Sequence, residues 1–215
     1  MLCEYLKKSH SSYTMFIVGA CRGEELKIIF NTQKVSHITL FEPVPNNINI
    51  LNEKTKKYKD KVKIIESAAG DVDGKLLFKE VNILGNGSIL NLSELAIQSF
   101  GAKQTVSFEV ASIKLDTYCQ TFSIPDILWV DVQGYELNVL KGAENIINEV
   151  SLIYIEVSIW EPTYKKGCIT KDIIDYLRNF NFELIQLGTD FFNGTGNALL
   201  SKKDSMRLEY LRNKV

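Results

Sequence analysis

Residues 127–136 read ILWVDVQGYE, four apolar residues followed by a short turn with two acids and a glycine. A short apolar run of this kind is typical of a strand buried on both faces of a parallel sheet. After the turn, Leu137 and Leu140 recur at helical spacing. The segment therefore predicts a strand, a turn and a helix, with Asp131 at the carboxyl end of the strand.

The same alternation of apolar runs and amphipathic stretches extends over most of the chain. It predicts an α/β fold, a mostly parallel sheet with helices on both faces. The seven predicted strands are Thr14–Gly19, His37–Phe41, Lys61–Ala68, Ile127–Asp131, Leu152–Val157, Phe182–Leu187 and Asn197–Ser201. The predicted crossover helices are Glu24–Asn31, Asn46–Tyr58, Tyr135–Asn148 and Lys171–Phe180.

The chain is predicted to form one domain over residues 14–203, preceded by a short segment, 1–13, and followed by a charged helix, 204–215. Residues 70–124 interrupt the alternation with two short strand patterns and a loop rich in glycine, asparagine and serine. This interval is either a lid or substrate loop or a flexible surface insertion, and the sequence leaves both open.

The composition of the chain indicates which class of partner and which cellular compartment to expect. The 215 residues include 25 basic and 26 acidic side chains, a net charge of −1. A near-neutral chain has no overall field that attracts nucleic acid or anionic lipid, so we expect a small-molecule or glycan partner. We predict no membrane span and no signal peptide, hence a cytoplasmic protein. Four separated cysteines and two histidines predict no metal site.

The first predicted strand runs into the turn Gly19–Gly23, where glycines let the backbone approach a ligand closely. The turn lacks the middle glycine of a dinucleotide-binding motif. Glu24 and Glu25 follow it and would repel a pyrophosphate. A cofactor with a cationic group and no phosphate, S-adenosylmethionine, fits this turn better.

The second predicted strand ends in Phe41–Glu42–Pro43, about 20 residues beyond the glycine turn. A carboxylate at this position can accept the hydroxyl protons of an adenosine ribose. The alternative is that Glu42 caps the helix that Pro43 helps to start.

Five segments together resemble the FkbM-type S-adenosylmethionine-dependent methyltransferases. They are Val18–Gly23, Glu42–Pro43, Lys114–Asp116, Asp131–Glu136 with Leu140–Ala143, and Ile155–Glu156. The resemblance implies a Rossmann-like class I methyltransferase fold with seven strands and the last strand antiparallel. It also implies an enzyme that methylates a hydroxyl of a sugar, glycolipid or other small molecule. The chain departs from the family pattern at two positions, with Ile17 replacing an acid and Cys21 an asparagine.

The resemblance also implies roles for individual residues. Glu42 would hold the ribose of the cofactor. The residues implied to form the floor under the methionine part are Gly19, Ala20 and Gly23; those implied to lie near the adenine are Ser67, Ala68 and Asp71; those implied to face the methionine and the methyl group are Asp131 and Gln133.

Methyl transfer to a hydroxyl needs in-line positioning and a base for the alcohol proton. The candidate catalytic acids are Asp131, Glu136 and Glu156, because each lies at or just after the carboxyl end of a strand. The alternative for Asp131 is a helix cap, and for Glu136 a first-turn acid that complements the helix dipole.

Two alternatives concern the function of the whole chain. The missing acid at Ile17 would also suit a catalytically silent binding or scaffold subunit with weak cofactor affinity. An amino-methyltransferase would present a proline-containing motif after the fourth strand, where this chain reads Asp131–Gly134. A hydroxyl acceptor is therefore favoured. The short N-terminal segment leaves open whether accessory helices come from a second copy in a homodimer or from another chain.

Overall fold

The computed structural model describes residues 1–9, 11–190 and 194–203. The strands are β1 Tyr13–Val18, β2 Val35–Phe41, β3 Val62–Ile65, β4 Ala68–Ala69, β5 Gly74–Val81, β6 Gln104–Ile113, β7 Ile127–Val130, β8 Leu152–Ser158, β9 Phe182–Asp190 and β10 Thr195–Lys202. The helices are α1 Leu2–Lys8, α2 Leu26–Asn31, α3 Pro45–Thr55, α4 Glu94–Phe100, α5 Leu115–Cys119, α6 Glu136–Lys141 and α7 Thr170–Arg178. The predicted helix 204–215 and the residue His10 lie outside the described residues.

Seven strands form the main sheet, in the order β3-β2-β1-β7-β8-β10-β9. All pairs are parallel except those of β10, which runs antiparallel to both β8 and β9. The predicted α/β fold, with the last strand antiparallel, is confirmed. Val18 pairs with both Phe41 and Val130, so the carboxyl ends of β2, β1 and β7 lie side by side.

The helices cover both faces of this sheet and bury two apolar cores. One core joins α1, α2 and α3 to the sheet through residues such as Leu6, Ile29 and Leu51. The other joins α5, α6 and α7 through residues such as Leu140 and Leu177. Side chains alternate between the faces along each strand, because successive Cβ atoms of a strand point to opposite sides.

The predicted strand Lys61–Ala68 is wrong in its extent, because it divides between two sheets. β3 ends at Ile65, where the Ser67 amide donates to the Ile65 carbonyl at 2.8 Å and turns the chain. Ala68–Ala69 then pairs with β6 in a second sheet of order β4-β6-β5. Within residues 70–124 the chain therefore contains the β5–β6 antiparallel pair together with α4 and α5.

The predicted helix Tyr135–Asn148 is also shorter, because α6 ends at Lys141. A Cβ on Gly142 would lie 1.8 Å from the Gly70 carbonyl oxygen, so only glycine allows this approach of the two segments. The Asp116 carboxylate accepts from the Asn145 and Ile146 amides and caps the short 3-10 turn that follows. None of the described helices combines the length and the apolar character needed to cross a membrane.

Candidate active site

A cleft of about 250 Å³ opens at the carboxyl ends of β1, β2 and β7. The sequence-predicted site residues that line it are Gly19, Glu42, Ala68, Asp131 and Gln133. The charged residues among the described lining are Arg22, Glu42, Glu80 and Asp131. An excess of carboxylates gives the cleft a negative character, which suits a cationic ligand.

The glycine turn brings β1 against the end of β7. Gly19 has a φ of +83°, and a Cβ there would lie 1.8 Å from the Asp131 carbonyl oxygen. Gly23 has a φ of +64°, and its Cβ position is filled by the side chains of Leu26 and Leu51. Ala20 is buried in the core beside α2. Of the three predicted floor residues, Gly19 lines the cleft. Ala20 and Gly23 do not line it and pack against apolar side chains of the core.

Glu42 is buried, and its carboxylate binds three donors of the protein. Oε2 accepts from the Cys21 amide at 2.8 Å, and Oε1 accepts from the Val44 amide at 2.9 Å and from Asn47 Nδ2 at 3.2 Å. Burial raises the pKa of Glu42, and these three hydrogen bonds oppose that shift. A carboxylate offers about four acceptor positions. One therefore remains for a hydroxyl of a ligand.

The residues predicted near the adenine are divided by the structure. Ala68 lines the cleft, whereas Ser67 is buried and donates from Oγ to the Ala68 carbonyl at 3.0 Å. The Asp71 carboxylate accepts from Tyr135 Oη at 2.8 Å and from Asn138 Nδ2 at 2.9 Å. Because Tyr135 lines the cleft, Asp71 orients a wall residue.

The turn after β7 is held in a conformation that is uncommon for its sequence. Gln133 has a φ of +56° and Gly134 a φ of +93°. The buried Glu136 carboxylate accepts from the amides of Val132 at 3.1 Å and Gly134 at 3.0 Å and so closes the turn. Burial raises the pKa of Glu136 to about 7. Strained residues of this kind persist where the surroundings fix them, often at functional sites.

The Gln133 side chain joins two carboxylates at the edge of the cleft. Its Nε2 donates to Asp131 Oδ1 at 2.8 Å and to Glu156 Oε2 at 2.9 Å, and its Oε1 lies 3.2 Å from Tyr164 Oη. Burial raises the pKa of Asp131. Burial and the charges of Asp131 and Glu136 raise the pKa of Glu156 well above its usual range.

Three carboxylates, those of Asp131, Glu136 and Glu156, each place an oxygen within 4.8 Å of the others, a spacing at which a metal ion could be held. The Gln133 amide donates into this group, and the Glu136 carboxylate binds two backbone amides. Hydrogen-bond donors of the protein therefore already occupy acceptor positions of these three carboxylates.

The roof of the cleft comes from the interval 70–124, which the sequence left open as a lid or a surface insertion without indicating its individual lining residues. It consists of the end of β5 and the loop after it, and the lining residues there are Phe78, Glu80, Val81, Ile83, Leu84, Gly85, Gly87 and Ile89. Ser88 Oγ donates to the Gln133 carbonyl at 2.7 Å, and Tyr164 Oη donates to the Asn86 carbonyl at 2.6 Å. The loop composition was the one available signal, and it did not indicate which surface the loop covers.

The strand order, the antiparallel β10 and the cleft at the strand ends define a class I methyltransferase fold. A solved structure with the same fold is the methyltransferase FkbM from Methylobacillus flagellatus, with a TM-score of 0.58 and 18% identity over 88% of this chain and 43% of that one. The Methyltransferase FkbM domain family matches residues 18–184. The chain belongs to this FkbM methyltransferase family, as its motifs predicted.

Two relatives are methyltransferases by name. The 2-O-methyltransferase NoeI from Sinorhizobium fredii is 26% identical over 172 residues, 76% of this chain and 70% of that protein. The hexuronic acid methyltransferase AglP from Haloferax volcanii is 25% identical over 125 residues, 57% of this chain and 47% of that protein. This chain therefore spans about half the length of the latter. The comparisons favour the predicted enzyme over a scaffold subunit.

Proposed function

We propose that this protein transfers the methyl group of S-adenosylmethionine to a hydroxyl oxygen of a sugar, a glycolipid or a similar small molecule. The observation that carries the proposal is the pair of partly buried carboxylates, Asp131 and Glu156, joined through Gln133 at the edge of a cleft of negative character. The two relatives, a 2-O-methyltransferase and a hexuronic acid methyltransferase, support the acceptor class.

The cleft fits the cofactor through a few residues. Glu42, with one free acceptor position, would bind a ribose hydroxyl, and Ala68 would contact the adenine. Gly19 and Gln133, which both line the cleft, would contact the methionine part. When bound, the cofactor supplies an electrophilic methyl group on a positively charged sulfur. Asp131 would face that charge, and its carboxylate stabilises it electrostatically.

Asp131 is the residue that we propose as the base for the acceptor hydroxyl. It lines the cleft, and its raised pKa makes it a stronger proton acceptor than an exposed aspartate. Glu156, bonded to the same amide, would share the proton within the pair. Glu136 does not line the cleft, and we propose that it positions the Asp131 turn through the Val132 and Gly134 amides.

The acceptor side of the site is rich in hydroxyl groups. A smaller pocket next to the cleft is lined by Gln133, Gly134, Glu136, Glu156, Val157, Ser158, Thr163, Tyr164 and Thr195. The nearby Trp160 side chain is 59% exposed and offers an aromatic face to a sugar. The chain from residue 70 to 124, whose loop roofs the cleft, would act as the lid within one domain over residues 14–203.

The remaining features of the proposal concern partners and location. With a net charge of −1 the chain would bind no nucleic acid. We propose a cytoplasmic enzyme, and a homodimer as the source of any accessory helices.

The experiment that tests the proposed function is methyl transfer from S-adenosylmethionine to a panel of sugars and glycans, read by mass spectrometry of the acceptors. We expect one added methyl group on a hydroxyl. Asp131→Asn should lower the rate by about 100-fold to 10,000-fold if the carboxylate is the base. The exposed acid Glu109→Gln is the control and should keep the wild-type rate. A folded protein that binds S-adenosylhomocysteine and methylates none of the acceptors at oxygen would contradict the proposal.

A further inference from the structure

Tyr164 is a buried residue between the turn after β7 and the loop 82–93 that contributes to the roof. Its side chain is 3% exposed, and it does not line the cleft itself. The ring lies against the backbone of Gly134, where a Cβ would meet three ring and side-chain carbons at 3.0–3.2 Å. The glycine at position 134 leaves room for this ring. Tyr164 therefore packs directly on the strained turn that contains Gln133.

The Tyr164 hydroxyl joins the roof to the side chain of Gln133. Oη donates to the Asn86 carbonyl at 2.6 Å and lies 3.2 Å from Gln133 Oε1. Burial, followed by the charges of three nearby carboxylates, raises the pKa of Tyr164, so the hydroxyl keeps its proton at neutral pH. Its hydrogen is therefore directed at two carbonyl oxygens, one in the roof and one on Gln133.

The orientation of the Gln133 amide decides whether Asp131 and Glu156 both receive a hydrogen bond. An amide NH₂ group carries two hydrogens. Nε2 donates to the two carboxylates at 2.8 Å and 2.9 Å, so the amide oxygen must point away from them. Rotation of the amide by about half a turn would place that oxygen against two other acceptors, at the cost of both hydrogen bonds. The hydroxyl of Tyr164 on the far side favours the orientation that serves both acids.

The chain on either side of this tyrosine pairs with the far end of the roof loop. The Lys165 amide donates to the Asn91 carbonyl at 2.7 Å, and the Ser93 amide donates to the Thr163 carbonyl at 3.0 Å. These backbone hydrogen bonds fix the position of the hydroxyl relative to the loop. The hydroxyl therefore reaches the amide when the loop lies over the cleft.

We propose that Tyr164 is a positioning residue for methyl transfer, which fixes the Gln133 amide and, through it, the Asp131–Glu156 pair when the roof covers the cleft. The proposal rests on the proposed function, which assigns the proton of the acceptor to this pair. It links the position of the roof to the orientation of the base. The alternative is that Tyr164 serves only as packing in the apolar cluster that it forms with residues such as Leu92.

The substitution Tyr164→Phe separates these roles, because it removes the hydroxyl and keeps the ring. The first measurement is the nitrogen–proton NMR spectrum of the Gln133 side-chain amide, assigned by the resonances that disappear in Gln133→Met. In the wild type both amide protons should be shifted downfield and exchange slowly with water, because each is bound to a carboxylate. In folded Tyr164→Phe they should move toward the positions of a solvent-exposed glutamine.

The NMR measurement needs no acceptor. Unchanged Gln133 resonances in folded Tyr164→Phe would overturn the proposal. Wild-type Gln133 protons that already exchange as fast as those of an exposed glutamine would overturn it without any variant having to fold.

The second measurement is the single-turnover rate of methyl transfer to the sugar or glycan of the panel that the wild type methylates. Tyr164→Phe should lower this rate by roughly 10-fold to 100-fold, the scale of a small misplacement of a catalytic group. Gln133→Met should lower it as well. The double variant should be no slower than Gln133→Met alone, because Tyr164 acts through that amide.

Tyr176→Phe is the matched control, because it loses a hydrogen bond of Oη to Glu144, 2.9 Å long, on the exposed side of α7. It should keep the wild-type rate. A wild-type rate in folded Tyr164→Phe, or effects of the two substitutions that multiply in the double variant, would overturn the positioning role and leave the proposed function intact. Wild-type protein that methylates none of the panel contradicts both.

Discussion

Glu42 has two roles in this account, and one substitution separates them. Its carboxylate holds the Cys21 and Val44 amides, at 2.8 Å and 2.9 Å, and keeps one acceptor position for a ribose hydroxyl. In Glu42→Gln one carboxylate oxygen becomes an NH₂ group. Whichever way the amide is oriented, that group faces a backbone N–H and cannot accept from it.

The size of both effects follows from these contacts. One unpaired buried amide should lower the free energy of unfolding by about 1–3 kcal/mol. Loss of a charge-assisted hydrogen bond to the ribose should weaken S-adenosylhomocysteine by roughly 10-fold to 100-fold. Urea unfolding measures the first effect and titration calorimetry the second. Glu66→Gln, an exposed acid just after β3, is the control and should change neither.

Deoxy-ribose analogues of S-adenosylhomocysteine make the result specific. Wild-type protein should bind the analogue that lacks the contacted hydroxyl more weakly than the parent ligand, and Glu42→Gln should bind both equally. A variant that is less stable yet binds S-adenosylhomocysteine as tightly as the wild type would refute the ribose role. Glu42 would then serve only to hold the turn and the start of α3.

Three further predictions concern the turns and the roof. Glu136 has a pKa of about 7 in the folded protein against an ordinary value of 4.5, so the free energy of unfolding should fall as the pH rises from 4.5 to 7. Glu136→Gln can still accept from the two amides. In this variant the fall in the free energy of urea unfolding should be smaller by up to about 1.4 kcal/mol per pH unit over that range. An unchanged slope would mean that Glu136 is ionised throughout. Gly19→Ala should lower the free energy of unfolding by at least about 3 kcal/mol, because the new Cβ clashes with the Asp131 carbonyl. Gly101→Ala has open space around its Cβ and should lower it by about 1–2 kcal/mol through backbone strain alone. Equal losses for the two variants in denaturant unfolding would disprove the clash. Ser88→Ala should release the roof from Gln133 and speed cofactor dissociation in stopped-flow measurements. The exposed Ser107→Ala is the control and should keep the wild-type dissociation rate. Identical dissociation rates for the two variants would show that the roof does not retain the ligand.

The parts of the fold that follow from local patterns were predictable from the sequence. Ile127–Val130 is apolar and buried except at Trp129, and the acid that follows it lies at the cleft, as the strand-end rule requires. The antiparallel β10 was different. It came from the family resemblance, because an apolar run has no direction that periodicity can reveal.

The sequence could not indicate contacts between distant segments. The roof depends on where the β5–β6 pair folds relative to β7, and the loop composition is compatible with any surface. The break after Lys141 depends on Gly142 meeting Gly70, a contact between residues far apart in the chain. Glu136 and Asp71 are acids close in sequence to the site, yet both carboxylates accept hydrogen bonds from groups of the protein and have structural roles.

The central claim is that this cleft binds the cofactor with its reacting sulfur beside Asp131. A crystal structure of the complex with S-adenosylhomocysteine tests it most directly. The account predicts the ribose at Glu42 and the sulfur facing Asp131 beneath the loop that contains Ser88. A ligand bound elsewhere, or bound here with its sulfur turned away from Asp131, would contradict it.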